Sequence, residues 1–177
     1  MHVSNKPSKR LLKSIAFCAL IVFTSGYSSE KAATEVLDYC VREKSKASAK
    51  KDLPPYRYSG SRAKTFYCKN NQQVKTTEIE LLKGQHYRLI FDKAGLPIGQ
   101  SVEVRIYDKP EDKKNRSLLW ENTEDRDHFI FETKSIENFK YSTLYVEYFF
   151  PAYEKDDISS EVKKKGCVFL TIGSALR

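Results

Sequence analysis

His86 and His128 are the first places to look for chemistry, and their surroundings argue against it. Neither sits in H-x-x-x-H or H-E-x-x-H spacing, and the chain has no G-x-S-x-G elbow and no phosphate-cradling P-loop. Each histidine begins a predicted strand, where a surface or edge role is the ordinary one. A nucleophilic pair of Cys68 and His86 would need the fold to bring them together, since such partners meet in space rather than in sequence. Carboxylate pairs for glycoside hydrolysis would likewise have to come from distant strands. The expectation is a non-enzymatic protein that needs no cofactor.

Two further groups of reactive side chains have bland readings. Glu121, Glu124, Asp125 and Asp127 crowd one turn, and oxygen-rich loops can hold Ca²⁺. They lack the D-x-D-x-D-G order and the glycine of a sharp turn, so the segment reads as a solvated hairpin tip and no metal is expected. Cys40, Cys68 and Cys167 are too widely spaced for C-x-x-C chemistry. An oxidising compartment would allow one pair among them with one thiol left over. The spacing does not choose the pair, and three buried thiols remain an alternative.

The aromatic residues carry the most information about binding. The chain has 11 Tyr, 10 Phe and one Trp. Such side chains are ordinary strand formers that fill cores, yet on a sheet surface their faces stack on sugars or on protein. Strand parity places Tyr107, Tyr145 and Phe149 opposite the expected core, which makes them the candidate binding residues.

The elements that must position these residues are mostly strands. Ala33, Val36, Leu37, Cys40 and Val41 fall at i, i+3, i+4, i+7 and i+8, which predicts an amphipathic helix over 31–44. Pro54-Pro55 then closes a lysine-rich linker. Beyond it the period changes from 3.6 to 2. Short strands are expected at 56–58 and 65–68, and a hairpin from 76–82 to 87–91 across Lys83-Gly84-Gln85. Further strands follow at 102–106, 118–120, 128–132, 144–150 and 167–172. The strand 144–150 is apolar on both faces and is expected to be central. About eight short strands separated by polar turns predict an antiparallel β-sandwich of jelly-roll type, preceded by that one helix.

The N-terminus looks like a targeting segment. Lys6, Lys9, Arg10 and Lys13 precede the apolar run Ile15–Phe23, and small residues follow, with cleavage expected after Ser28. Nine apolar residues are too few for the ~20 that span a bilayer. The domain boundaries are then 1–28 for the signal peptide, 29–55 for helix and linker, and 56–177 for the sandwich. The whole chain has a formal net charge of +8. Four of its 31 Lys and Arg, but none of its 23 Asp and Glu, lie in the leader, so the mature net charge is +4. The lysine runs 44–51 and 163–165 read as solvated faces, and no nucleic-acid partner is expected.

Several blocks also carry a family likeness. Glu80-Leu81-Leu82-Lys83-Gly84-Gln85-His86-Tyr87-Arg88, Val104-Arg105-Ile106-Tyr107-Asp108, Phe129-Ile130-Phe131 and Tyr145-Val146-Glu147-Tyr148 occur in that order. This order resembles prepeptidase C-terminal-type β-sandwiches. The block from Tyr56 to Val168 is similar to small exported β-sandwich proteins of Bacteroidetes-type bacteria. The resemblance implies an accessory domain without catalytic residues. The expectation is therefore an exported, monomeric binding or accessory domain, periplasmic or extracellular, recognising an envelope protein or glycan. A hydrolase acting on envelope polymer and a purely structural envelope component are the alternatives.

Overall fold

A computed structural model describes residues 35–40, 49–123, 126–153 and 162–176. The expected signal peptide lies outside the described residues, as does most of the expected linker. Nine strands occur among the described residues, in chain order: β1 Glu35–Asp38, β2 Arg57–Tyr67, β3 Gln73–Glu80, β4 Gln85–Asp92, β5 Glu103–Tyr107, β6 Leu118–Glu121, β7 His128–Glu132, β8 Thr143–Phe150 and β9 Val162–Leu176. Eight of them, β2 to β9, pair antiparallel. One sheet runs β2-β9-β4-β7 with β1 added to β9, and the other runs β3-β8-β5-β6.

This strand order has a simple origin. The pairs β2·β9, β3·β8, β4·β7 and β5·β6 are those of one long hairpin turning between β5 and β6. Rolling that hairpin up brings β4 beside β9 and β5 beside β8, which closes two sheets over one core. The result is the jelly roll expected from the sequence. Alternation fills the core: Leu89 and Phe91 from β4, Val104 and Ile106 from β5, Leu144 and Val146 from β8, and Val168 and Leu170 from β9 are all fully buried. Burying each such side chain contributes about 1.5–3 kcal/mol. β8 is central in its sheet, as its two apolar faces require.

The structure corrects three local expectations. Residues 35–38 are a strand, not part of a helix over 31–44, and the short helix near the N-terminal side lies at 49–52. β1 pairs in parallel with 162–165 of β9, along the stretch that β4 leaves unpaired, because the pairing of β4 with β9 begins only at Phe169. Lys165 donates to Asp38 at 2.9 Å, and the Asp38 carboxylate accepts the Cys40 N–H at 2.9 Å to end the strand. A vacant ladder outweighs a helical period that is only a weak local preference.

The two short strands expected at 56–58 and 65–68 are one strand, with a register shift between Tyr58 and Gly60. The expected hairpin of β3 with β4 does not form. The turn at Gly84, whose φ is +78°, carries the chain from one sheet to the other. An alternating pattern requires Ile79 and Leu89 to face a core, but it does not say whether the two strands lie side by side or across that core.

The N-terminal segment covers the outer face of the five-stranded sheet. Ala49 and Leu53 bury Ile90, and Gly173 leaves room for Leu53 and Tyr56: a Cβ there would stand 2.7 Å from Leu53 Cδ2 and 2.9 Å from Tyr56 Cβ. Arg88 holds this segment down by donating to the carbonyls of Asp52 and Pro54 while pairing with Glu132. Burial pushes the Glu132 carboxyl up. Hydrogen bonds from Lys134 and Arg88 outweigh that effect and hold it below the usual carboxylate range.

Candidate functional site

The outer face of the four-stranded sheet carries all three residues singled out by parity. Tyr107 lies directly opposite Tyr145 in the ladder of β5 and β8, and Phe149 opposite Glu103. Residues opposite one another in an antiparallel ladder point to the same face. Tyr145 and Phe149 are half-buried, two positions either side of Glu147.

Tyr107 projects from the expected face, but its ring is not open. It is only 9% exposed, because the Arg116 guanidinium lies over it at 3.7 Å from the ring centre. Arg116 reaches this position from the loop after β5. There the Asp108 carboxylate accepts the Ser117 N–H at 2.6 Å, and Asn115 takes a positive φ of 63°. Lys109 Nζ donates to the Asn115 carbonyl at 2.9 Å and completes the turn.

Arg116 then grips Glu147 at both ends, Nη1 to Oε1 at 2.7 Å and Nη2 to Oε2 at 3.1 Å. This fork-on-carboxylate geometry is among the stronger polar contacts a protein makes. The hydrogen bonds it donates to Glu147, helped by the Tyr107 hydroxyl, raise the pKa of an already permanent cation further. Beside it, Arg105 pairs with Glu103 and approaches Glu121 at 3.6 Å. The face therefore alternates aromatic rings with ion pairs across β5 and β8.

Arg116 and Glu147 did not stand out in the sequence. One signal was present: an acid in the middle of a strand apolar on both faces must find a partner, because burying it unpaired is costly. The exposed apolar side chains Val74 and Leu118 sit on the outer strands β3 and β6.

The other candidates are not assembled into sites. Cys68 bonds to Lys164 at one end of β9 and His86 pairs with Ala175 at the other. Eleven residues separate those positions, roughly 35 Å along a strand, so no cysteine–histidine pair forms. Burial also raises the Cys68 thiol pKa, the wrong direction for a nucleophile. Cys40 and Cys167 form a disulfide, with Cα atoms 5.6 Å apart, and Cys68 is free. His128 Nε2 lies 3.4 Å from the Asp52 carboxylate. In the acidic turn Glu121 faces Arg105, and 124–125 lie outside the described residues. Among the described residues no cluster of three His, Cys, Asp or Glu could hold a metal ion, and no helix is long and apolar enough to cross a membrane.

A shallow groove of about 250 Å³ runs between the ends of β6 and β7, lined by Trp120, Asn122, Arg126 and His128. Trp120 is committed to the core, stacked on Phe91 at 6.0 Å.

No protein-family model, curated protein or solved structure matches the chain. What the fold supports of the resemblance is an all-β sandwich with jelly-roll strand order, and no family is assigned.

Proposed function

We propose that this chain is a non-catalytic binding module, exported to the periplasm or beyond, that lays an envelope glycan across the outer face of its four-stranded sheet. The observation that carries this reading is the placement of Tyr145 and Phe149 on either side of the Arg116–Glu147 pair, on one sheet face. Aromatic groups beside fixed donors and acceptors suit a ligand whose rings present both C–H faces and hydroxyls. A protein partner is favoured less, because Arg105, Arg116, Glu103 and Glu147 interrupt the aromatic and apolar side chains of this face with ion pairs. A hydrolase is favoured less as well. Glu103, Glu121 and Glu147 are each engaged by an arginine, which leaves none of them free to serve as acid or nucleophile on this part of the face.

The test is binding to an array of envelope glycans, followed by affinity for the best ligand from about 50 to about 500 mM NaCl. An aromatic, shape-driven contact should weaken by less than about tenfold per threefold rise in salt. A steeper loss, or no glycan retained, would overturn the reading.

A further inference from the structure

The seam between β2 and β3, the two open sheet edges on one flank of the sandwich, brings cations together with no acid paired to Lys64 or Lys75 among the described residues. Phe66 fixes the direction of the β2 side chains: it is buried and stacks on Phe150 of β8, with ring centres 3.9 Å apart. Lys64 and Arg62, two and four residues earlier, therefore lie on the same side of the strand, Lys64 half-buried and Arg62 exposed at the rim. Their ladder partners Val168 and Leu170 are both fully buried core residues. From the opposite sheet Lys75 also points inward, opposite Tyr148, which is 1% exposed.

The seam is stitched at both ends by a side chain of one edge bonding a backbone carbonyl of the other. Gln73 Nε2 donates to the Tyr67 carbonyl at 2.8 Å, and Arg62 Nη1 donates to the Glu78 carbonyl at 2.7 Å. Between these stitches lie Lys64 and Lys75. Burial first, then the charges of Lys75 and Arg62, hold the Lys64 ammonium below its ordinary range, and no carboxylate is among the groups that perturb it. Three like charges converging on a half-buried seam oppose one another unless an anion sits among them.

We propose that this seam is a binding site for a phosphate- or sulfate-type oxyanion, held by Arg62, Lys64 and Lys75. The site is distinct from the aromatic face and does not rest on its role. Inward charges on edge strands also discourage edge-to-edge pairing, but that role alone predicts no response to an oxyanion.

The test is thermal unfolding of the full chain in inorganic phosphate, inorganic sulfate and dextran sulfate, each against NaCl at equal ionic strength. Phosphate or sulfate should raise the melting temperature by about 3 °C near saturation. Stabilisation by dextran sulfate at much lower concentration would assign the anion to a polymer, and equal potency per sulfate would assign it to a free ion. Lys75→Gln should melt higher than the wild type in anion-poor buffer, because repulsion is relieved, and should lose the oxyanion response. Lys64→Gln should lose the same response. An equal response to chloride, or oxyanion stabilisation retained by both variants, would overturn the site.

Discussion

The guanidinium of Arg116 covers the ring of Tyr107 and holds both oxygens of Glu147, joining the loop after β5 to the centre of β8. Glu147 is only 9% exposed, so removing its partner strands a carboxylate in a poorly hydrated place. Arg116→Ala should cost about 2–4 kcal/mol, whereas Arg116→Ala combined with Glu147→Gln should recover part of that loss. Urea unfolding of the two single variants and the double variant measures the coupling. Strictly additive losses would show that the pair does not act as a unit.

The Cys40–Cys167 disulfide closes a loop of 127 residues and ties the short β1 to the middle of the longest strand. Cys40→Ser should cost about 2–5 kcal/mol. Reduction should add two thiols to those alkylated under denaturing conditions, which mass spectrometry counts directly. Assignment of those two thiols to a pair that includes Cys68 would contradict the structure.

Arg88 and Glu132 make the clasp over the N-terminal segment sensitive to acid. The folded-state pKa of Glu132 is lowered, so its contribution is complete above the ordinary glutamate value of about 4.3. That contribution fades as pH falls through the lowered folded value. Stability measured from about pH 6 down to about pH 2.5 should fall less steeply in Glu132→Gln than in the wild type. Identical acid limbs would show that the carboxylate is not held this way. Arg88→Ala should in addition speed amide exchange in residues 49–56, whose carbonyls at 52–54 it binds.

Period-two alternation from Tyr87 to Phe91 and from Leu144 to Phe150 was enough to place those strands and the core they face. Parity was also enough to put Tyr107, Tyr145 and Phe149 on one outer face, because a β-side chain has only two directions. Pairing was less legible. Nothing local to Ile79 and Leu89 distinguishes a hairpin from a passage between sheets. The helical spacing of Val36, Leu37 and Cys40 likewise yielded to a vacant edge on β9 that exists only in the folded chain. Arg116 illustrates the same limit: its loop looked merely charged, and its role depends on an acid 31 residues away.

The most direct test of the binding face is retention on immobilised envelope polysaccharide of the wild type and of a Tyr145→Ala/Phe149→Ala double variant. Both rings are only half-buried, so the variant should keep the fold, as its near-ultraviolet circular dichroism would verify. With two ring stacks removed, at about 1–2 kcal/mol each, affinity should fall by about tenfold or more. Retention of a folded double variant equal to that of the wild type would contradict the account.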